Sequence, residues 1–172
     1  LVGSEMCIRD RIFGDDALAV ADGVVVQSRN DLPEQTPGEY PQGIALADAD
    51  GNNLVLDIGN GFFVNYAHMQ PGSVRFAPGD RVRRGEVIGK VGNTGNSVAP
   101  HLHVHVMNGP SFIASQGVPS VTDRFTITAQ VASTADFDRS EGTGVPLVLA
   151  PGAPVGERSN AMVLDQSLVT FP

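Results

Sequence analysis

The sequence predicts an all-β fold with a β extension at its C-terminal end. Two observations lead to this prediction. The 172 residues include 20 glycines and 12 prolines but no tryptophan, a composition typical of short elements joined by many turns. The apolar residues also fall in short runs bounded by turn residues, and nowhere does their spacing suggest a helix of three turns.

The first predicted elements surround two turn signals. The segment 17–27 predicts two short strands around an Asp22-Gly23 turn. The polar segment that follows contains several prolines, which exclude a regular element. The apolar runs 54–58 and 62–68 are separated by Asn60-Gly61. This dipeptide between two strands predicts a β-hairpin.

The later elements are predicted to be shorter. Turns at 78–80 and 83–85 flank a two-residue strand, and further strands are predicted over 87–91 and 101–107. From 123 to 131 apolar and polar residues alternate, which predicts a strand with one buried face.

The charge of the chain excludes some partners. Nineteen acidic residues against eleven basic ones give a net charge of −8, which argues against nucleic acid or an anionic membrane surface as the main partner. No apolar run approaches the length of about 18 residues expected of a membrane span. We therefore expect no transmembrane segment.

The length suits one domain with an appendage. Residues 1–11 resemble a translated sequencing-adapter string and are interpreted as a non-native leader; they hold Cys7, the only cysteine. A single cysteine excludes an internal disulfide and a thiolate zinc cluster. The remaining boundaries are predicted at 12–113 for a β core and 114–172 for the extension.

All four histidines lie in two places. His101, His103 and His105 alternate along the run Pro100–Val106, and His68 ends another apolar run. Side chains at i and i+2 of a strand share a face, so neighbouring imidazoles can converge on one ion or substrate. Taken alone, this pattern is equally compatible with a polar strand face that binds nothing.

Four blocks of sequence, in order, resemble the M23 family of lysostaphin- and LytM-type zinc peptidases, which cut peptidoglycan cross-bridges or stem peptides. The resemblance runs from about Ile12 to Pro110, and the matching blocks are Tyr66-Ala67-His68, Pro78–Gly89, Gly92–Ser97 and Pro100–His103. It implies a curved antiparallel sheet forming a compact, β-sandwich-like core with an open cleft.

The resemblance also implies roles for the histidines. His103 matches the histidine that binds zinc, and His101 and His68 match the two catalytic histidines. In the family, zinc activates a water that attacks the peptide carbonyl, and the two catalytic histidines position the water and stabilise the oxyanion. His105 stands where members commonly carry Glu, and it is expected to be a structural polar residue or an outer neighbour of the zinc ligand.

The chain departs from the family pattern at its start. Members supply a further His and Asp to zinc from a motif that precedes the segment matching 14–23, and no histidine precedes His68 here. The acidic residues nearby are not convincing substitutes: Asp10, Asp15 and Asp16. Because one imidazole does not make a zinc site, we expect this chain to hold Zn²⁺ weakly and to be inactive.

The expected function is that of a secreted or periplasmic zinc endopeptidase acting on peptidoglycan peptides or cross-bridges. The alternative is a non-catalytic LytM-like module that binds cell wall or activates an amidase. The presence of both His68 and His101 favours the enzyme, because a non-catalytic module has no chemical need for them.

Four other interpretations are weaker. A lipoyl carrier needs its lysine at an exposed hairpin tip, whereas Lys90 lies inside a predicted strand, and a phosphocarrier would use paired histidines without zinc. The segment 48–52 resembles the start of a calcium loop but is better explained as a polar hairpin tip. The segment 93–97 could form an anion cradle but is better explained as a loop that shapes the cleft wall.

Overall fold

The computed structural model describes residues 12–143 and 145–172. Within them the protein is nearly all β and every pair of strands is antiparallel, so the predicted fold class is confirmed. The predicted leader, with Cys7 and Asp10, lies outside the described residues. The described chain forms two compact units, which meet in sequence between Val118 and Pro119.

The first unit contains seven strands and one 3-10 turn. The strands are β1 (Asp16–Leu18), β2 (Gly23–Arg29), β3 (Asn52–Gly59), β4 (Phe62–Met69), β5 (Arg81–Val82), β6 (Val87–Lys90) and β7 (His103–Met107), and the 3-10 turn is Leu46–Asp48. Five of them form one sheet in the order β5-β2-β3-β4-β7, and β1 pairs with β6 in a second, two-stranded sheet. The predicted hairpin joins β3 to β4, and both Asn60 and Gly61 have positive φ, as a two-residue turn of this kind requires.

One face of the five-stranded sheet forms the main core. Leu54 and Leu56 of β3 alternate with residues of the opposite face, as do Val64 and Tyr66 of β4, and all four are completely buried. Ile88 of the small sheet packs into the same cluster. The Tyr66 hydroxyl accepts a hydrogen bond from the Val20 N–H at 2.8 Å. Asn65, which lies between Val64 and Tyr66 and belongs to the opposite face, is completely buried as well.

The Asp22-Gly23 prediction was only partly right. The strands on its two sides do not pair with each other, because β1 pairs with β6 whereas β2 pairs with β3 and β5. The glycine is needed here for a close approach: a Cβ on Gly23 would overlap the carbonyl oxygen of Asp57. Asp22 instead accepts a hydrogen bond from the Arg84 N–H at 2.8 Å.

The second unit holds a three-stranded sheet and a helix. The elements are β8 (Thr122–Gln130), α1 (Thr134–Thr143), β9 (Gly156–Ala161) and β10 (Ser167–Thr170), with β8 in the middle of the sheet. The strand predicted over 123–131 is thus present. The helix was not predicted, although Ser133 caps it: its hydroxyl accepts from the Asp136 N–H at 3.1 Å and donates to the Asp136 carboxylate at 2.7 Å. None of the helices in the described ranges has the length and apolar character to cross a bilayer.

Candidate active site

Three of the four histidines meet at one end of the five-stranded sheet. His68 lies near the end of β4 and His103 begins β7, and the pairing of Ala67 with His103 makes the two histidines neighbours. His101 precedes β7 by two residues, so the predicted strand over 101–107 begins later than expected. The ring centroid of His68 lies 4.7 Å from that of His101 and 5.8 Å from that of His103.

The backbone of His68 is held in an uncommon conformation. Its φ is +62°, in the left-handed region that residues other than glycine seldom adopt. Its N–H donates to the carbonyl oxygen of Asp50 at 2.9 Å, and its own carbonyl accepts from the Gly92 N–H at 3.1 Å. Such strain persists where the surroundings over-determine the conformation, and it is concentrated at functional sites.

Backbone carbonyls fix the tautomers of two histidines. Nδ1 of His68 lies 2.8 Å from the carbonyl oxygen of Thr94, and Nδ1 of His101 lies 2.8 Å from that of Ala99. A carbonyl oxygen can only accept, so each Nδ1 carries the proton. In the neutral form of either ring, Nε2 therefore keeps its lone pair and can bind a metal ion or accept a hydrogen bond.

The site lowers the proton affinity of the His68 and His103 imidazoles. His68 is only 6% exposed, and this burial lowers its pKa to about 4; the neighbouring rings of His101 and His103 act in the same direction, while the hydrogen bond to Thr94 opposes them. Partial burial and the His105 ring also lower the pKa of His103. At neutral pH His68 is therefore an uncharged imidazole.

The loop 93–97 organises the two carbonyl-bound histidines. The Ser97 hydroxyl lies 2.7 Å from Oδ1 of Asn93 and 3.3 Å from Nδ1 of His101, and Thr94 supplies the acceptor for His68. The Asn93 N–H donates a hydrogen bond to the carboxylate of Glu34 at 2.6 Å, so this amide is occupied by a group of the chain itself. The loop contacts Nδ1 of His68 through Thr94 and Nδ1 of His101 through Ser97.

His105 makes a direct contact with His103. Nε2 of His103 lies 2.9 Å from Nδ1 of His105, and the rings are nearly perpendicular with centroids 5.0 Å apart. Asp50 lies within electrostatic reach of both rings. Its carboxylate accepts a hydrogen bond from Nδ2 of Asn65 at 2.6 Å, and Asn65 is fully buried opposite His105 in the β4–β7 pair.

Sequence reasoning did not identify the residues that accept hydrogen bonds from the histidines or act on them electrostatically. Thr94 and Ala99 act through backbone carbonyls, which leave no signal in side-chain chemistry. Asp50 stands in the segment interpreted as a hairpin tip, whereas it actually lies between the 3-10 turn and β3. Its acidic character was the one available signal.

The donor set suits a divalent metal ion. One ligand nitrogen from each of His68, His101 and His103 lies within 4.8 Å of the others, and among the described residues this group contains histidines alone. Neutral imidazole nitrogen is a common ligand of zinc. Asp16 forms an ion pair with Lys90 at 3.0 Å.

Comparison with known proteins identifies similar chains. Endolysin 2638A of Staphylococcus phage 2638A is 32% identical over 80 residues, which are 45% of this chain and 16% of that protein. Peptidoglycan DD-endopeptidase ShyA of Vibrio cholerae serotype O1 is 33% identical over 95 residues, which are 55% of this chain and 18% of that protein. The chain thus spans less than a fifth of either relative. The catalytic domain of the antimicrobial peptidase lysostaphin from Staphylococcus simulans aligns with a TM-score of 0.45 at 27% identity, covering 61% of this chain and 68% of that one.

The family comparison covers more of the sequence. The model of peptidase family M23 matches residues 11–115, which is more than half of the chain and includes all four histidines. The chain belongs to peptidase family M23.

Proposed function

We propose that the chain is the core of a zinc metalloendopeptidase that hydrolyses peptide bonds in peptidoglycan, in which His103 binds the metal and His68 and His101 are catalytic. The observation that carries this proposal is the convergence of three imidazoles, two of which have Nδ1 tied to backbone carbonyls and Nε2 left with a lone pair. Membership of family M23 supplies the reaction class.

A neutral His68 is suited to positioning a water molecule. Burial keeps the ring uncharged at neutral pH, so Nε2 can accept a hydrogen bond from an attacking water and orient it toward the substrate. The Thr94 carbonyl holds the Nδ1–H throughout, so the ring does not need to reorient. His101 offers the same atom with the same support from Ala99.

The metal would be held by His103 together with ligands that the described residues do not supply. When bound, zinc would provide a Lewis acid for the peptide carbonyl and a nucleophile at neutral pH. Since His68 and His101 are assigned to catalysis, the described residues offer a single dedicated ligand. We therefore expect it to hold Zn²⁺ weakly and to show no endopeptidase activity by itself.

The proposed substrate and location follow from the relatives. ShyA is named a peptidoglycan DD-endopeptidase, and peptidoglycan lies outside the cytoplasmic membrane. We accordingly place this protein in the cell envelope or outside the cell, with peptidoglycan stem peptides or cross-bridges as its substrate.

The metal assignment is tested on the chain itself. After dialysis against buffer with micromolar zinc, elemental analysis should find far less than one zinc per chain, and His103→Ala should remove what remains. A full equivalent of zinc retained by the unaltered chain would contradict the single-ligand assignment.

Catalysis is tested on the longest chain that the gene encodes, with purified peptidoglycan and glycine-rich peptides as substrates. His103→Ala should lose both metal and activity. His101→Ala and His68→Ala should keep most of the metal and reduce turnover by roughly 10²–10³, the usual loss for one such group. If that chain cleaves nothing but stimulates a purified amidase, it is instead a non-catalytic activator.

A further inference from the structure

Asn52 is a buried polar residue whose side chain joins two distant segments of the first unit. It is completely buried at the start of β3. Its Oδ1 accepts from the Leu32 N–H at 2.8 Å, and its Nδ2 donates to the carbonyl oxygens of Leu32 at 2.8 Å and of Met69 at 3.2 Å. Both amide hydrogens are therefore used, and the pairing with both backbone groups of Leu32 permits one orientation of the amide.

Thr94 enters the same network through its hydroxyl. Thr94 is completely buried, and its Oγ1 accepts from the backbone N–H of Asn52 at 2.8 Å and donates to the carbonyl oxygen of Met69 at 2.9 Å. Because a backbone N–H can only donate, the single hydroxyl hydrogen is committed to Met69. The carbonyl of the residue that follows His68 is thus held by two buried hydrogen bonds.

Thr94 also holds His68 directly. Its carbonyl oxygen lies 2.8 Å from Nδ1 of His68, so one residue fixes both the ring and the backbone that follows it. The φ of His68 is +62°, a conformation that persists only where the surroundings over-determine it. The paired hydrogen bonds of Asn52 and Thr94 supply such a constraint, and a displacement of Thr94 would move the ring and the backbone of His68 together.

We propose that Asn52 and Thr94 are positioning residues for His68: their buried hydrogen bonds hold its backbone in the left-handed conformation and its ring against the Thr94 carbonyl. The inference rests on the catalytic role given to His68 in the proposed function. It adds that two side chains buried away from solvent determine where Nε2 of that ring lies. A network in which every buried polar group is paired is suited to this task, because it specifies one geometry.

Three variants test the role of the hydroxyl. Thr94→Val removes the hydroxyl with little change of shape, and Thr94→Ser retains it. Ser73→Ala is the matched control, because the Ser73 hydroxyl also accepts from a backbone N–H, that of Lys90 at 3.1 Å, and donates to a carbonyl oxygen, that of Gln70 at 2.9 Å. Neither of these two bonds involves a histidine.

Amide hydrogen exchange in the metal-free 172-residue chain separates positioning from overall stability. The His68 N–H donates to the carbonyl oxygen of Asp50 at 2.9 Å. In Thr94→Val we expect this amide to exchange about tenfold faster relative to the amide of Val64, in the middle of the same strand. Thr94→Ser and Ser73→Ala should keep the ratio of the parent. An unchanged ratio in Thr94→Val would overturn the proposal, because the hydroxyl would then contribute to overall stability alone.

A second variant keeps the test decisive if Thr94→Val does not fold. Asn52→Asp retains the oxygen that accepts from the Leu32 N–H and removes the donor to Met69. It should also accelerate exchange at His68 relative to Val64, together with a weaker nuclear Overhauser effect between the amide and α protons of His68, the signal that marks a positive φ. A parent-like ratio and a parent-like Overhauser effect in this variant would refute the positioning role of Asn52.

Activity provides the last measurement, on the longest chain that the gene encodes and with purified peptidoglycan as substrate. Thr94→Val should lower kcat about 10–100-fold and change KM less than about threefold, because the buried side chain does not reach substrate but its loss misplaces a catalytic group. Thr94→Ser should restore most of kcat. A parent-like kcat in Thr94→Val would overturn the proposal. If the parent itself cleaves nothing, the proposed function fails, and the exchange ratio alone decides whether Asn52 and Thr94 position His68.

Discussion

Gly95 lies in the loop 93–97, where its backbone packs closely against that of Ala49 and Gly51. Its replacement tests how much this close packing contributes to stability. Its φ is +75°, and a Cβ at this position would lie 2.6 Å from both the Ala49 carbonyl oxygen and the Cα of Gly51. Gly85 has a similar φ of +80° but has nothing within 4 Å of the same hypothetical Cβ. Gly85→Ala is therefore a matched control that carries the backbone strain without the overlap.

The two free-energy costs can be separated. A left-handed conformation costs an L-residue roughly 1–2 kcal/mol, and both variants incur it. Overpacking that forces backbone to move costs a further 1–3 kcal/mol or so, and only Gly95→Ala incurs it. The loss of flexibility in the unfolded chain is the same for both variants and cancels in the comparison. We expect Gly95→Ala to lower the free energy of unfolding by about 2–5 kcal/mol and Gly85→Ala by about 1–2 kcal/mol.

Urea denaturation followed by the amide NMR signals of β3 and β4 measures both values within the first unit. The overlap also pushes on Thr94, so the ring signals of His68 should shift in Gly95→Ala and stay unchanged in Gly85→Ala. Equal destabilisation by the two substitutions, with unchanged His68 signals, would refute the packing explanation.

Three further predictions concern the same unit. Protonation of His68 is disfavoured in the folded state, where burial lowers its pKa to about 4 from its usual 6.5. The unfolded chain therefore binds more protons between these pH values, and the metal-free chain should lose up to about 3 kcal/mol of stability as the pH falls from 6.5 to 4. Urea denaturation across this range should show the loss, and His68→Asn should abolish the part that His68 contributes. Leu56→Ala should cost about 2–5 kcal/mol because Leu56 is completely buried, whereas Leu18→Ala, at a 49% exposed position, should cost less than about 0.5 kcal/mol in the same assay. Tyr66→Phe removes the acceptor of the Val20 N–H and should cost about 0.5–1.5 kcal/mol with the fold intact; a destabilisation near zero would mean that water replaces this hydrogen bond.

Local sequence signals predicted much of the first unit. Asn60-Gly61 predicted the β3–β4 hairpin because the two turn residues themselves must adopt positive φ, which Asn and Gly do readily. The alternation of apolar residues placed β8 to within one residue. The gathering of His68 with His101 and His103 was anticipated from the family resemblance, and the structure brings the three rings together, while their roles remain predictions.

The sequence analysis missed features that depend on contacts between distant segments or that have no strong local pattern. The segments around Asp22 were predicted as two short strands around a turn, but β1 pairs with β6 some 70 residues away, and no local pattern records such a partner. Helix α1 is polar and contains Gly142, so its composition gave no helical signal. Ser133 and Asp136 form the capping pair that could have revealed it.

The acceptor atoms that fix the tautomers of the two proposed catalytic histidines belong to the backbone, at Thr94 and Ala99. Every amino acid carries a carbonyl, so a codon change at position 94 or 99 replaces a side chain and leaves the acceptor atom in the chain. Tautomer selection at His68 and His101 can therefore be lost only by changes that move the backbone. Thr94 is constrained through its side chain as well, because its buried hydroxyl accepts from the Asn52 N–H at 2.8 Å and donates to the Met69 carbonyl oxygen at 2.9 Å.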